Sequence, residues 1–304
     1  MTSRHVSTRP AYRGRFAPSP TGALHLGSLV AAVGSFMEAR TNDGHWFVRI
    51  ENPDPSREVP GASREILKAL ERSGMEWDGE VVYQSRRDNA YRAALATLET
   101  RHMIYPCSCS RKEIADSATI RIDGPVYPGT CRKRNHSSDY RSARRIRTDN
   151  TTIEFSDALQ GLVRQQLDRD IGDFVLQRAD GVFTYQLAVV VDDAEQAITH
   201  VVRGEDLLNS TPRQIYLQQL LGYSTPFYLH LPIVVNAQGQ KLSKQSCAET
   251  INASDPVPHL VTAMELLGQM PPPELFESDL ASFWKWAMEH WRSELIPKKT
   301  GMIY

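Results

Sequence analysis

Two short segments more than two hundred residues apart hold side chains suited to chemistry on a triphosphate. The first, His25-Leu26-Gly27-Ser28, follows a Pro/Gly turn; the second, Lys241-Leu242-Ser243-Lys244, follows the turn-like run Asn236-Ala237-Gln238-Gly239-Gln240. Attack at phosphorus builds negative charge on the phosphoryl oxygens, so catalysis depends on positioned donors and cations. A helix opening near Leu26 or Gly27 would aim its unpaired N–H groups at the phosphates. Gly27, lacking a Cβ, would admit adenosine close to the backbone beside Ser28. His25 would reach a phosphate, and Lys241 and Lys244 would meet the pyrophosphate, Lys244 making the main transition-state contact.

Cys107-Ser108-Cys109 and Cys131 form a second constellation. Three thiolates and one further donor make a closed, structural zinc site with no position left for a catalytic water. Chemistry alone directs the search for the fourth ligand to His102 or His136. Cys247, beside the lysine segment, reads as a bystander thiol. Four cysteines serve better as ligands or free thiols than as disulfides in a reducing compartment.

Positioning these groups requires an alternation of strands and helices. Arg15-Phe16-Ala17 reads as a strand before the turn, followed by a helix near 26–40, the strand Trp46–Ile50, and a helix near 60–73 entered through Pro60 and Gly61. This βαβ rhythm predicts an α/β protein with a doubly wound parallel sheet, its ligands at the carboxyl ends of the strands, where His25 and Glu51 fall. From about 105 to 190 the composition shifts toward Cys, Arg and short β-rich pieces such as Thr151–Phe155, which reads as an insertion. The sheet is expected to resume with Ala188–Val191, then Ile198–Arg203, a helix near 211–221, and Leu231–Val235. After Pro256 a small helical region follows, with Phe283, Trp284, Ala287, Met288 and Trp291 at helical spacing, a pattern of core packing rather than base stacking. The resulting division is a flexible N-terminus (1–12), a first half of the catalytic domain (13–104), an inserted zinc-containing subdomain (105–190), a second half (191–255) and a C-terminal helical region (256–304).

The 304 residues suffice for a sizeable core, and 35 Lys and Arg against 36 Asp and Glu leave a formal charge of −1. Any RNA contact must therefore be local. The candidate is Arg132, Lys133, Arg134, Arg141, Arg144, Arg145 and Arg147, among which Asp139 is the lone acid; a solvated loop is the alternative. No apolar run approaches the ~18 residues of a membrane span, and the first ten residues lack a secretory apolar segment. A cytoplasmic monomer without membrane contact is expected.

The order of Arg15-Phe16-Ala17-Pro18-Ser19-Pro20-Thr21-Gly22, His25-Leu26-Gly27, Arg49-Ile50-Glu51, Tyr185-Gln186, Val202–Asp206, Leu229-His230-Leu231-Pro232 and Lys241–Lys244 resembles the class I aminoacyl-tRNA synthetases, glutamyl branch. The resemblance covers roughly residues 13–250. It implies a Rossmann-type catalytic domain that joins glutamate and ATP, with Mg2+, into glutamyl-adenylate. It also implies a glutamate pocket in which Arg15 and Arg203 take the carboxylates, Glu51 the ammonium and Tyr185 closes the wall, with Phe16, Ala17, Pro18 and Ser19 alongside. Arginine suits this role because its fork pairs bidentately with a carboxylate. Among zinc ligands the resemblance selects Tyr127, whose phenol a bound zinc would favour as phenolate.

Two departures from the family stand out. Asn52 replaces the usual Asp after Arg-Ile-Glu, and the chain leaves no room for an anticodon-binding domain. The latter is similar to a shortened branch that activates glutamate without tRNA and transfers it to the queuosine base of tRNA(Asp). The alternatives are a minimal enzyme esterifying the 3′ end of tRNA(Glu) and a non-catalytic tRNA-binding module.

Overall fold

The computed structural model describes residues 11–121, 124–134, 141–235, 255–298 and 301–303. Its first half follows the expected alternation: β1 (Arg13–Phe16), α1 (Leu26–Thr41), β2 (His45–Ile50), α2 (Ala62–Arg72), β3 (Val82–Tyr83) and α3 (Asp88–Thr100). β1 and β2 pair in parallel with Arg15 opposite Phe47, and β2 pairs in parallel with β3. Gly61, at the mouth of α2, has φ 82°, a left-handed conformation costly for any side chain with a Cβ.

The middle of the chain holds β4 (Ile104–Cys107), α4 (Arg111–Ser117), β5 (Thr119–Arg121), β6 (Gly124–Val126), β7 (Ala143–Ile146), β8 (Thr152–Asp157), β9 (Gly161–Gln166) and β10 (Val175–Gln177). β7 sits between β4 and β10 in an antiparallel sheet. The β8–β9 hairpin instead reaches the parallel sheet, Asp157 pairing with Tyr228.

The chain returns through α5 (Tyr185–Glu195), β11 (His200–Gly204), α6 (Thr211–Leu221), β12 (Phe227–Leu231) and β13 (Val234–Val235), and closes with α7 (Val257–Leu266), α8 (Leu280–His290) and β14 (Met302–Ile303). β11 and β12 are parallel, and β11 follows β1, the Thr199 N–H donating to the Arg13 carbonyl at 2.9 Å. Two expectations fail: the strand expected at Leu231–Val235 ends at Leu231, with Val234–Val235 pairing β14 instead, and Ala188–Val191 is helix, not strand. These residues are buried on every side of α5, so packing between the sheet and neighbouring helices overrides the β preference of three consecutive valines.

Two cores flank the sheet. Val202, Leu229 and Leu231 face the one beneath α1, α7 and α8, whereas Val201 and Tyr228 face the one beneath α3, α5 and α6. This is the two-residue period of a strand buried on both faces. α1 can approach β12 because Gly34 has no Cβ; one placed there would lie 2.6 Å from Leu231 Cδ1. The aromatic stripe of α8 is packing: Phe283 is fully buried, and the Trp284 indole donates to the Ser73 carbonyl at 2.8 Å.

Candidate active site and metal centre

α1 crosses from β1 to β2 on one face of the sheet, whereas α6 crosses from β11 to β12 on the other. The crevice between the carboxyl ends of β1 and β11 is therefore a topological switch point, the place where open α/β sheets bind ligands. A cavity of about 510 Å³ opens there. Arg15, Phe16, Ala17, Pro18, Ser19, His25, Gly27, Ser28, Glu51, Tyr185 and Arg203 all line it. Lys241 and Lys244 lie outside the described residues, as do His136 and Cys247.

His25 is the N-cap of α1, its Nδ1 accepting the Ser28 N–H at 3.3 Å. That bond places the proton of a neutral ring on Nε2, which lies 3.1 Å from Ser28 Oγ. Capping and donor geometry for an anion thus come from one side chain at the positive end of a sixteen-residue helix.

The walls of the cavity are charged. Arg15 is almost wholly buried and gives Nε and Nη2 to Asp193, at 3.1 and 3.3 Å. Asp193 also accepts from Arg49 Nη2 at 2.8 Å. Burial pushes the Asp193 carboxyl up, but Arg15 and Arg49 outweigh it and hold the group below its ordinary range. Glu51 is anchored by its own N–H, which donates to the Pro18 carbonyl at 2.9 Å, and its Oε1 accepts from Arg49 at 3.3 Å. Its pKa is raised by burial against the opposing pull of Arg49 and Arg15.

Also lining the cavity, Arg203 donates from Nη1 to the Tyr185 hydroxyl at 3.1 Å and from Nε to His230 Nε2 at 3.0 Å. A guanidinium and a carboxylate lining one cavity can grip an anionic and a cationic group of one small ligand. Asn52 does not take an acid's place beside Glu51; it bridges Glu58 and the Ser85 N–H, both at 3.1 Å. A second cavity of about 230 Å³ shares Ser19, Thr21, Glu51, Arg57 and Tyr185 with the first.

Asp193 and His230 are the residues sequence reasoning left without roles. Asp193 pairs with a residue 178 positions away, so no local spacing could reveal it.

In the middle segment Cys107, Cys109 and Cys131 bring their sulfurs within 4.8 Å of one another. Tyr127 Oη lies 3.4 Å from both Cys107 and Cys109 Sγ and accepts the Cys131 N–H at 2.9 Å. Ligands about 2.3 Å from a tetrahedral ion stand about 3.8 Å apart, so this donor set fits zinc. The Arg145 guanidinium, 4.0 Å from the centre of the Tyr127 ring, adds positive charge beside the phenol. Burial and the three thiols raise the phenol's pKa, the cost a cation would relieve. His102 is exposed in the turn after α3 and is absent from this cluster.

Four members of the basic patch are engaged within the protein. Arg132 pairs with Asp173, Arg144 approaches Glu99 at 3.5 Å, Arg145 donates to the Asp173 carbonyl at 2.8 Å and Arg147 lies over the Tyr105 ring. Lys133, Arg134 and Arg141 are exposed. Among the described residues no helix is long and apolar enough to cross a membrane.

A parallel sheet with a helix-capping His-x-Gly at its switch point and a charged pocket alongside defines the catalytic domain of a class I aminoacyl-tRNA synthetase. The family described as tRNA synthetases class I (E and Q), catalytic domain, matches residues 11–271, and the chain belongs to it, within the branch of glutamyl-Q tRNA(Asp) synthetases. The Glutamyl-Q tRNA(Asp) synthetase of Dechloromonas aromatica is 54% identical over 294 residues, covering 96% of this chain and 98% of that one. That of Neisseria meningitidis serogroup C is 52% identical, covering 94% and 98%. The crystal structure of a glutamate tRNA ligase from Elizabethkingia meningosepticum, in complex with its amino acid, superposes with a TM-score of 0.80 at 25% identity, covering 97% of this chain and 67% of that one.

Proposed function

We propose that the chain activates L-glutamate with ATP in the absence of tRNA and transfers it to the queuosine base of tRNA(Asp). The observation that carries this reading is near end-to-end identity above 50% with glutamyl-Q tRNA(Asp) synthetases, joined to a pocket lined by a buried guanidinium and a buried carboxylate. The glutamate side chain meets Arg203, the ammonium meets Glu51, and Arg15 supports the second carboxylate from its clamp on Asp193. An oxygen of the α-carboxylate attacks the α-phosphorus of ATP; pyrophosphate leaves, and a mixed anhydride forms. His25 Nε2–H, the first N–H groups of α1, and Lys241 and Lys244 stabilise the charge that builds on the phosphates. Mg2+ accompanies ATP, held by phosphate oxygens and water.

In the second step a hydroxyl of the queuosine cyclopentene diol attacks the anhydride carbonyl. AMP leaves with the bonding electrons, and the hydroxyl proton passes to a phosphate oxygen or solvent. The cavity sharing a wall with the glutamate pocket offers the base a path to that carbonyl. Unstacked bases in single-stranded loops are open to such edge and stacking contacts, and exposed Lys133, Arg134 and Arg141 supply charge for the adjacent backbone. Zinc, held by Cys107, Cys109, Tyr127 and Cys131, would brace the middle segment without joining the chemistry. Incubation of labelled glutamate with total tRNA tests the reading. Label should sit on tRNA(Asp) and be missing from tRNA of cells lacking queuosine. Label confined to the 3′ terminal nucleotide of tRNA(Glu) would overturn it in favour of 3′ esterification.

A further inference from the structure

The two arginines of the glutamate pocket keep different company. Arg15 is clamped by a carboxylate, which cancels much of its charge. Every hydrogen-bond partner of Arg203 among the described residues is neutral or a carbonyl: Tyr185 Oη, His230 Nε2, the Leu207 carbonyl at 3.4 Å and Thr211 Oγ1 at 2.9 Å. A guanidinium held this way is fixed in direction yet keeps its full charge for a ligand.

His230 makes this possible only in one protonation state. Arginine has no acceptor, so the bond from Arg203 Nε requires a bare Nε2 and leaves the ring proton on Nδ1. Asp157 sits 2.6 Å from Nδ1. Its oxygens also accept the N–H groups of Leu159 at 3.0 Å, Gln160 at 2.8 Å and His230 itself at 3.1 Å, so every contact of this carboxylate is an acceptor contact. It can receive the Nδ1 proton but offers the ring none. Both side chains are fully buried. Burial pushes the imidazole pKa down to about 4, the Asp157 bond opposing and the Arg203 charge reinforcing. A second ring proton would also face Nε2 against the donor hydrogen of Arg203.

We propose that His230, locked by Asp157 as the neutral Nδ1–H tautomer, is the positioning residue that fixes Arg203 as an uncompensated cation and so sets selection of glutamate over glutamine. The inference rests on the proposed glutamate reading and extends it. The β8 strand that supplies Asp157 and the β12 strand that supplies His230 join at this point, Asp157 pairing with Tyr228. The hairpin from the middle segment therefore reaches the amino-acid pocket through two side chains.

ATP–pyrophosphate exchange with His230→Leu and His230→Gln tests this. The leucine variant should raise KM for glutamate about tenfold or more, equivalent to a loss of roughly 1.4 kcal/mol, narrow the preference for glutamate over glutamine, and leave KM for ATP within about twofold. Glutamine at 230, whose amide oxygen can accept from Arg203, should recover most of that loss. A folded leucine variant with wild-type KM and selectivity, or one losing kcat alone, would overturn the proposal. Should the leucine variant not fold, two-bond 1H–15N spectra of the wild-type chain decide. The imidazole with the most downfield ring proton should carry it on Nδ1, with Nε2 bare from pH 8 to 5.5; a proton on Nε2 refutes the assignment. A wild-type chain forming no glutamyl-adenylate would remove the proposed function yet leave the tautomer result standing.

Discussion

Asp193→Asn isolates the charge that holds one wall of the pocket together. The carboxylate accepts from Arg15 at 3.1 and 3.3 Å and from Arg49 at 2.8 Å, and all three side chains are less than 10% exposed. Asparagine keeps the volume and one oxygen, which can still serve Arg15 Nε and Arg49 Nη2. Its amide nitrogen then faces Arg15 Nη2, donor against donor. Arg49 is left with Glu51 at 3.3 Å and Asp192 at 3.9 Å, whereas Arg15 loses the carboxylate charge it was paired with. Removing one partner of a buried pair costs about 3–5 kcal/mol, and the retained bonds return part of that, so a loss of about 3 kcal/mol is expected. Urea unfolding followed by tryptophan fluorescence at pH 7.5 measures it. The Asp193 pKa is lowered on folding, so its contribution is fully present above the unfolded value of about 3.9 and is lost as pH falls through the folded one. The gap between wild type and variant should therefore hold constant from pH 8 to 5 and close only below about pH 4. A difference under about 1 kcal/mol, or a gap closing between pH 7 and 5, would refute the reasoning.

Metal analysis of protein purified without added zinc should find one ion per chain; Cys107→Ser with Cys131→Ser should lose it and expose residues 104–134 to protease before adenylate formation suffers. Zinc content unchanged in the double variant would show that these thiols are not the ligands. Lys244→Ala should slow pyrophosphate exchange by about 10²–10³-fold, the usual effect of deleting one transition-state donor, with KM for glutamate little changed; an undiminished rate would remove the lysine segment from the mechanism.

Local signals carried much of the fold. α1, β2 and α6 were legible because turn residues bound them; α6 occupies Thr211–Leu221, where it was expected. The thiol cluster was legible from Cys107-Ser108-Cys109 with Cys131, whereas Tyr127 came only from resemblance. α5 misled because Val189, Val190 and Val191 are buried together, and complete burial erases the periodicity that separates helix from strand. The basic patch was legible only as a run: its spacing does not disclose that Asp173, Glu99 and the Tyr105 ring engage Arg132, Arg144, Arg145 and Arg147, whereas Lys133, Arg134 and Arg141 stay exposed. His230 stood inside a recognised motif, yet its meaning depends on Asp157, 73 residues earlier and on a different strand.

The wide separation of the two halves has a consequence for biosynthesis. The Arg15–Asp193 pair closes over 178 residues and the Thr199–Arg13 bond over 186. At roughly 5–20 residues per second on the ribosome, β1 waits on the order of ten to forty seconds for its neighbour. During that interval one edge of β1 stays unpaired, and two guanidiniums destined for the interior remain in water. The middle segment, with its own antiparallel sheet and thiol cluster, emerges before β11, while the pocket is still unmade. The pocket therefore lacks the wall that holds Arg203 until β11 has left the exit tunnel, and a product stalled earlier carries the thiol cluster with the pocket incomplete.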